Sequence, residues 1–364
     1  MSGEHEHVYA VIMAGGSGTR FWPVSRGDRP KQLTRILGEE TMIQATVARL
    51  AGMIPPERVL VITTAAIAAQ TRAQLPQLPP ENVIAEPVGR DTAACVCLAA
   101  GVVERMDSEG VMILLPADQL IQPVDAFQNC LAAGVEVARR ERGLVTYGIP
   151  PRFAATGYGY VKQGAGAEAA RGCSVHAVER FVEKPDQATA EDYLAAGCYL
   201  WNSGIFTWRA DVVLSELARH CPRLTAALEP VRAQWGTDRF DAALEAAYQP
   251  LEKISIDYAL MEKVATIHVV TADFDWDDVG SWDALHAHLD PDAQGVASRG
   301  EALVLDCRNT LVFNEDGPLV AVSGMEDVIV ISTGHGVLVC PRGGSQSVKL
   351  VVGELKQRQR EDLL

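Results

Sequence analysis

Val8–Leu33, VYAVIMAGGSGTRFWPVSRGDRPKQL, constrains this chain more than any other stretch: an apolar run, a glycine-rich break, then spaced cations. Val8 to Ala14 is apolar throughout and has the length of a strand buried on both faces, as in a parallel sheet. Gly15, Gly16 and Gly18 allow a sharp turn whose consecutive backbone N–H groups make an anion nest. Arg20 adds a planar fork and Lys31 a compact point charge, on a loop stiffened by Pro23 and Pro30. The stretch reads as a polyphosphate cradle. It is not a Walker A loop, because no Lys-Ser or Lys-Thr pair follows the glycines. Nor is it the dinucleotide fingerprint, because Phe21 stands where G-x-G-x-x-G needs its last glycine.

The chain continues in alternating strands and helices. Helical periodicity at Thr41–Met53, Ala65–Leu75, Thr92–Met106 and Asp125–Arg140 alternates with strands at Arg58–Thr63, Val83–Ala85, Val111–Leu115 and Leu144–Ile149. This predicts an α/β fold, Rossmann-like, with a mostly parallel central sheet covered by helices. From Gly157 strands at Tyr158–Lys162, Ser174–Val182 and Cys198–Trp208 are separated by longer inserts, with helices at Ala210–His220, Phe240–Ala247 and Ile256–Lys263. Beyond a Pro/Gly-punctuated boundary at His288–Gly300 come short β runs without a fixed period and a closing helix, Ser347–Arg358. The expected domains are residues 1–289 and a small C-terminal β domain, 290–364, too short to bury a sheet alone.

A net charge of −15 argues against a nucleic-acid or anionic-membrane surface, so phosphate binding must be local. The acidic N-terminus, followed by only a short apolar run, is expected to be neither signal peptide nor membrane span, and the cytoplasm is the expected location. The eight cysteines form no C-x-x-C pair and read as buried free thiols; His286 and His288 are wrongly spaced for shared ligation on a helix.

Asp118 follows the apolar strand ending at Leu115, and Asp278 lies in a second turn beside Gly280. Two carboxylates brought together repel by roughly 4 kcal/mol at 4 Å and an effective dielectric near 20 unless a cation lies between them, and Mg²⁺ is the natural candidate. Asp277 is positioned equally well for that role. Glu183-Lys184-Pro185 closes a strand, where neighbours point to opposite faces unless the strand twists or bends. Trp201-Asn202-Ser203-Gly204 is a polar run suited to sugar hydroxyls.

The G-G-x-G-T-R-x-x-P cradle resembles that of the sugar-1-phosphate nucleotidyltransferases. With Glu86-Pro87-Val88-Gly89-Arg90, Leu115-Pro116-Ala117-Asp118, Phe181-Val182-Glu183-Lys184-Pro185, Trp201-Asn202-Ser203-Gly204 and Trp276-Asp277-Asp278-Val279-Gly280-Ser281-Trp282, the order is similar to that of the mannose-1-phosphate guanylyltransferase family. The resemblance implies that Arg20 and Lys31 hold GTP phosphates, with Gly15, Gly16 and Gly18 lining the nucleotide and Glu86, Pro87 and Gly89 near guanine and ribose. It implies Mg²⁺ on Asp118 and Asp278, mannose 1-phosphate against Gly157, Glu183, Lys184 and Asn202, and a homodimer formed through a short left-handed β-helix. Asp91 and Gln119 depart from the family's commoner Asn and His, and a chain ending at Leu364 is expected to lack an isomerase domain. Rival readings are a pyrophosphorylase for another nucleotide or hexose 1-phosphate, and a non-catalytic sugar-nucleotide sensor.

Overall fold

The computed structural model describes residues 5–16 and 18–364; Ser17, inside the cradle, lies outside the described residues. Among the described residues, the strands before the boundary region are β1 (Val8–Met13), β2 (Val59–Thr64), β3 (Val83–Glu86), β4 (Val111–Pro116), β5 (Leu120–Gln122), β6 (Leu144–Ile149), β7 (Tyr160–Gln163), β8 (Glu168–Ala170), β9 (Cys173–Val182), β10 (Tyr199–Arg209), β11 (Ile267–Thr271) and β12 (Asp275–Asp277). Helices α1 (Met42–Ala48), α2 (Ala68–Gln74), α3 (Asp91–Met106), α4 (Val124–Glu141), α5 (Gln187–Ala196), α6 (Ala210–His220), α7 (Pro222–Ala233), α8 (Phe240–Tyr248) and α9 (Trp282–His286) intervene.

Two compact units form: one from the chain up to Gly15 with Thr46–Ala117 and Ile121–Trp276, the other from Gly16–Ala45, Asp118–Leu120 and Asp277–Leu364. The first is built on a sheet of order β3-β2-β1-β4-β10-β6-β11-β9-β7. β3, β2, β1 and β4 run parallel, as the βα rhythm predicts, and β6 pairs β11 in parallel. β10 enters antiparallel between β4 and β6, bulged between Asn202 and Phe206. Strand alternation buries both faces. Tyr9, Val11, Met112 and Leu114 join one core with α3 and α6, while Ala10, Ile12, Ile113 and Leu115 are buried on the other. Helices α5 and α7 were not expected from sequence, and the expected helix over Ile256–Lys263 is the π-helix Asp257–Met261.

In the second unit β13 (Ala297–Arg299), β15 (Leu311–Asn314) and β17 (Val328–Thr333) pair in parallel, β18 (Gly336–Pro341) adds antiparallel to β17, and β14 (Ala302–Leu305) pairs β16 (Val320–Ser323). Ala302 pairs Val320 and Leu311 pairs Ile329, both offset by 18 residues. Ala297 pairs Leu311 at an offset of 14 instead, so the coils share no fixed sequence period. The expectation that these strands need a neighbour holds: their core includes Phe21, Trp22 and Ile36 from the cradle segment. The Trp282 ring lies 4.8 Å from Phe21 and 5.2 Å from Phe313, and the Trp22 indole donates to the Leu363 carbonyl at 2.8 Å. The closing helix α10 (Val348–Gln357) adds Val348 and Val352 to this core.

Candidate functional site

The cradle's cations end in different surroundings. Gly18 takes φ +56°, and a Cβ there would stand 2.6 Å from Lys31 Cβ and 2.8 Å from Lys31 N, so only glycine lets the turn close on Lys31. Lys31 is 3% exposed, and its ammonium donates to Asp118 Oδ2 at 3.0 Å and to the carbonyls of Asp118 and Asp278 at 2.8 Å each. One side chain thus ties together the loops that carry both candidate metal ligands. Arg20 is partly buried and makes no side-chain hydrogen bond or ion pair among the described residues.

The structure separates Asp277 from Asp278. Asp277 Oδ1 accepts from Val279 N at 2.7 Å, and Oδ2 pairs with His288 Nε2 at 2.9 Å. That carboxylate is committed to the turn, in which Val279, fully buried, takes φ +43°. For a β-branched residue this is a strained conformation, held by the surrounding contacts. Asp118 and Asp278 supply hard oxygen donors, and the Asp118 side chain is 40% exposed. No group of three or more His, Cys, Asp or Glu forms a cage among the described residues. Two carboxylates completed by water and phosphate oxygens fit a hard divalent cation that does without an all-protein cage.

In the first unit Glu86, 4% exposed at the end of β3, accepts from the Tyr248 hydroxyl at 2.9 Å. Burial raises its pKa to about 7, against the lowering effect of that hydrogen bond. A Cβ at Gly15 would stand 3.6 Å from Glu86 Oε2, which sets the first cradle glycine beside this carboxyl. Pro87 is half-buried and Gly89 exposed. Arg90 turns away to donate to the carbonyls of Tyr248 and Gln249, at 3.1 and 2.6 Å, pinning the end of α8 that presents Tyr248. Asp91 opens α3 at φ +64°, its Oδ1 accepting from Thr92 N at 2.8 Å; Gln119 is buried beside Asp118.

A second cluster of the same unit gathers Glu183, Lys184, Asn202 and Gly159. β9 ends at Val182 and Lys184 takes φ +47°, which breaks the alternation and lets the Lys184 ammonium bond the Glu183 carboxylate. The twist that the sequence required is present. A Cβ on Gly159 would stand 2.6 Å from Glu183 Oε2 and 3.3 Å from Asn202 Cβ, so this glycine, rather than exposed Gly157, is the close approach. Asn202 Nδ2 donates to Asp257 Oδ1 at 3.2 Å. Sequence reasoning missed Tyr248, Gly159 and Asp257; for Gly159 the Gly-Tyr-Gly-Tyr run was the available signal.

All eight cysteines are free thiols, six of them buried. No helix among the described residues is long and apolar enough to cross a membrane.

Residues 9–294 match the family described as Nucleotidyl transferase, and residues 300–355 match the MannoseP isomerase/GMP-like beta-helix domain. A mannose-1-phosphate guanylyltransferase of Klebsiella pneumoniae is 41% identical over 97% of this chain and 74% of its own length. The Xanthan biosynthesis protein XanB of Xanthomonas campestris pv. campestris (strain B100) is 41% identical over 98% of this chain and 74% of its own length. Among solved structures, a mannose-1-phosphate geranyltransferase from Thermus thermophilus superposes with a TM-score of 0.86 at 35% identity, covering 96% of this chain and 99% of that one. The chain belongs to the nucleotidyl transferase family and carries that beta-helix domain after its transferase region.

Proposed function

We propose that this chain transfers GMP from GTP to α-D-mannose 1-phosphate, giving GDP-mannose and pyrophosphate. The observation that carries this reading is its identity to mannose-1-phosphate guanylyltransferases over nearly its whole length. A phosphate oxygen of the sugar phosphate attacks the α-phosphorus of GTP in line, and pyrophosphate leaves as that P–O bond breaks. No protein base is required, because a phosphomonoester with a second pKa of about 6 is largely dianionic at neutral pH. The protein's part is alignment and charge neutralisation.

The guanidinium of Arg20 and the N–H groups around Gly15, Gly16 and Gly18 take the GTP phosphates, with Lys31 holding the carboxylate loops beneath them. Asp118 and Asp278 hold a divalent cation, Mg²⁺, which supplies charge neutralisation to the phosphates when bound. Glu86 accepts N–H donors of guanine in its ionised form, with Pro87 and Gly89 beside the ribose. Glu183 and Asn202 bind mannose hydroxyls, and Lys184 meets the sugar phosphate. Functionally we divide the chain into a catalytic region, 1–289, and a dimerisation region, 290–364; exposed Leu303 and Leu305 of β14 and Val337 and Val339 of β18 support a homodimer. The reaction belongs in the cytoplasm, where sugar phosphates and GTP are available.

Incubation with GTP, mannose 1-phosphate and Mg²⁺ is expected to give GDP-mannose and pyrophosphate in equal amounts, and EDTA is expected to stop both. Folded protein that forms no GDP-mannose would overturn the reading.

A further inference from the structure

Asn202 is held by both ends of its amide. Its Oδ1 accepts from Thr146 Oγ1 at 2.9 Å and from Gly204 N at 3.3 Å, while Nδ2 donates to Asp257 Oδ1 at 3.2 Å. A flip would face the amide oxygen with the Asp257 carboxyl and the amide nitrogen with the Gly204 N–H, so the network fixes one orientation. One N–H of Asn202 remains beyond these partners.

Asp257 opens a five-residue π-helix, a wide turn often found where a side chain must be aimed. The turn is registered by Ile256 N donating to Thr92 Oγ1 at 2.8 Å, Ala259 N to the Ser255 carbonyl at 2.9 Å and Glu262 N to the Asp257 carbonyl at 3.1 Å. The Asp257 carboxyl also accepts a hydrogen bond from the Ser255 side chain. Removal from solvent beside Glu183 disfavours the charge and raises the Asp257 pKa to about 7, against the lowering effects of Lys184 and of the Ser255 hydroxyl.

We infer that Asp257 is a positioning residue for the hexose: it aims the Asn202 amide at the sugar and thereby contributes to discrimination between hexose 1-phosphates. This rests on the proposed assignment of Glu183 and Asn202 to the sugar. Asp257 acts through Asn202, and the cradle and Glu86 are untouched.

The test compares steady-state kinetics of Asp257→Ala, Asp257→Asn and Asn202→Ala with the unaltered chain, for GTP, mannose 1-phosphate and glucose 1-phosphate. Asp257→Ala is expected to raise KM for mannose 1-phosphate by about tenfold and narrow the mannose-to-glucose ratio of kcat/KM, with KM for GTP within about twofold. Asp257→Asn, whose amide oxygen accepts the same N–H, is expected to recover KM to within about threefold. If Asn202→Ala raises KM for mannose 1-phosphate and Asp257→Ala does not, the inference fails and the sugar assignment stands. If Asn202→Ala leaves that KM unchanged, the sugar assignment itself fails, and the inference with it. Should Asp257→Ala not fold, Thr146→Val releases the opposite end of the amide; an unchanged KM for mannose 1-phosphate there overturns the inference.

Discussion

Lys31 donates its ammonium to the Asp118 carboxylate at 3.0 Å while the same nitrogen reaches the backbone carbonyls of Asp118 and Asp278. A cation on the glycine-rich loop thus sets the spacing of two acidic loops far from it in sequence. Lys31→Met keeps the stem and leaves those acceptors without their donor. It is expected to lose about 1–3 kcal/mol in urea unfolding and roughly a hundredfold in turnover. Wild-type values for both would contradict the assignment.

Asp277 and Asp278 are expected to behave differently although adjacent. Asp278→Asn should raise the Mg²⁺ concentration needed for half-maximal rate and lower turnover by roughly a thousandfold. Asp277→Asn, which keeps an acceptor for Val279 N and weakens the pairing with His288, should leave the Mg²⁺ requirement alone and cost no more than about tenfold. Equal Mg²⁺ shifts in the two variants would mean that both ligate.

Glu86 carries a signature in stability against pH. Its pKa rises from 4.5 to about 7 on folding, so between those values the folded chain binds more protons than the unfolded one. Stability from this group is fully present below pH 4.5 and is lost as pH rises through 7. Glu86→Gln should remove a decline worth about 3 kcal/mol over that window, read as the difference between urea midpoints at pH 5 and pH 8. Parallel pH profiles for the two proteins would refute the shift.

Gly159→Ala should displace the Glu183 carboxylate, which a new Cβ would meet at 2.6 Å. The expected result is a KM for mannose 1-phosphate raised about tenfold with KM for GTP unchanged. Gly157→Ala, with nothing within 4 Å of its added Cβ, serves as the control. An unaltered KM in Gly159→Ala would remove Glu183 from the sugar site.

What was legible in the sequence was what is local. Glycines, proline and cations in one short stretch announced the cradle, and apolar runs with helical spacing announced β1 to β4, α3 and α4. Glu183 and Lys184 were known to need a bend, and Lys184 at φ +47° supplies it. What was not legible depends on partners remote in sequence. The pairing of Asp277 with His288, which sets it apart from Asp278, is not announced by the spacing of His286 and His288. Tyr248 reaches Glu86 across 162 residues, and Asp257 sits in a π-turn that reads as ordinary helix. Helix α7 was hidden because Pro222 and Pro230 look like breakers, although Pro222 occupies the first turn, where no N–H is missed.

Pyrophosphate release with Mg²⁺ across five nucleoside triphosphates and the 1-phosphates of mannose, glucose and galactose, each with an EDTA control, separates a guanylyltransferase from the rival activities. One dominant rate is expected, GTP with mannose 1-phosphate, abolished by EDTA. A dominant rate for another pair would contradict the specificity. Silence across the grid from a folded protein whose melting temperature still rises with GDP-mannose would contradict catalysis itself and leave a sensor.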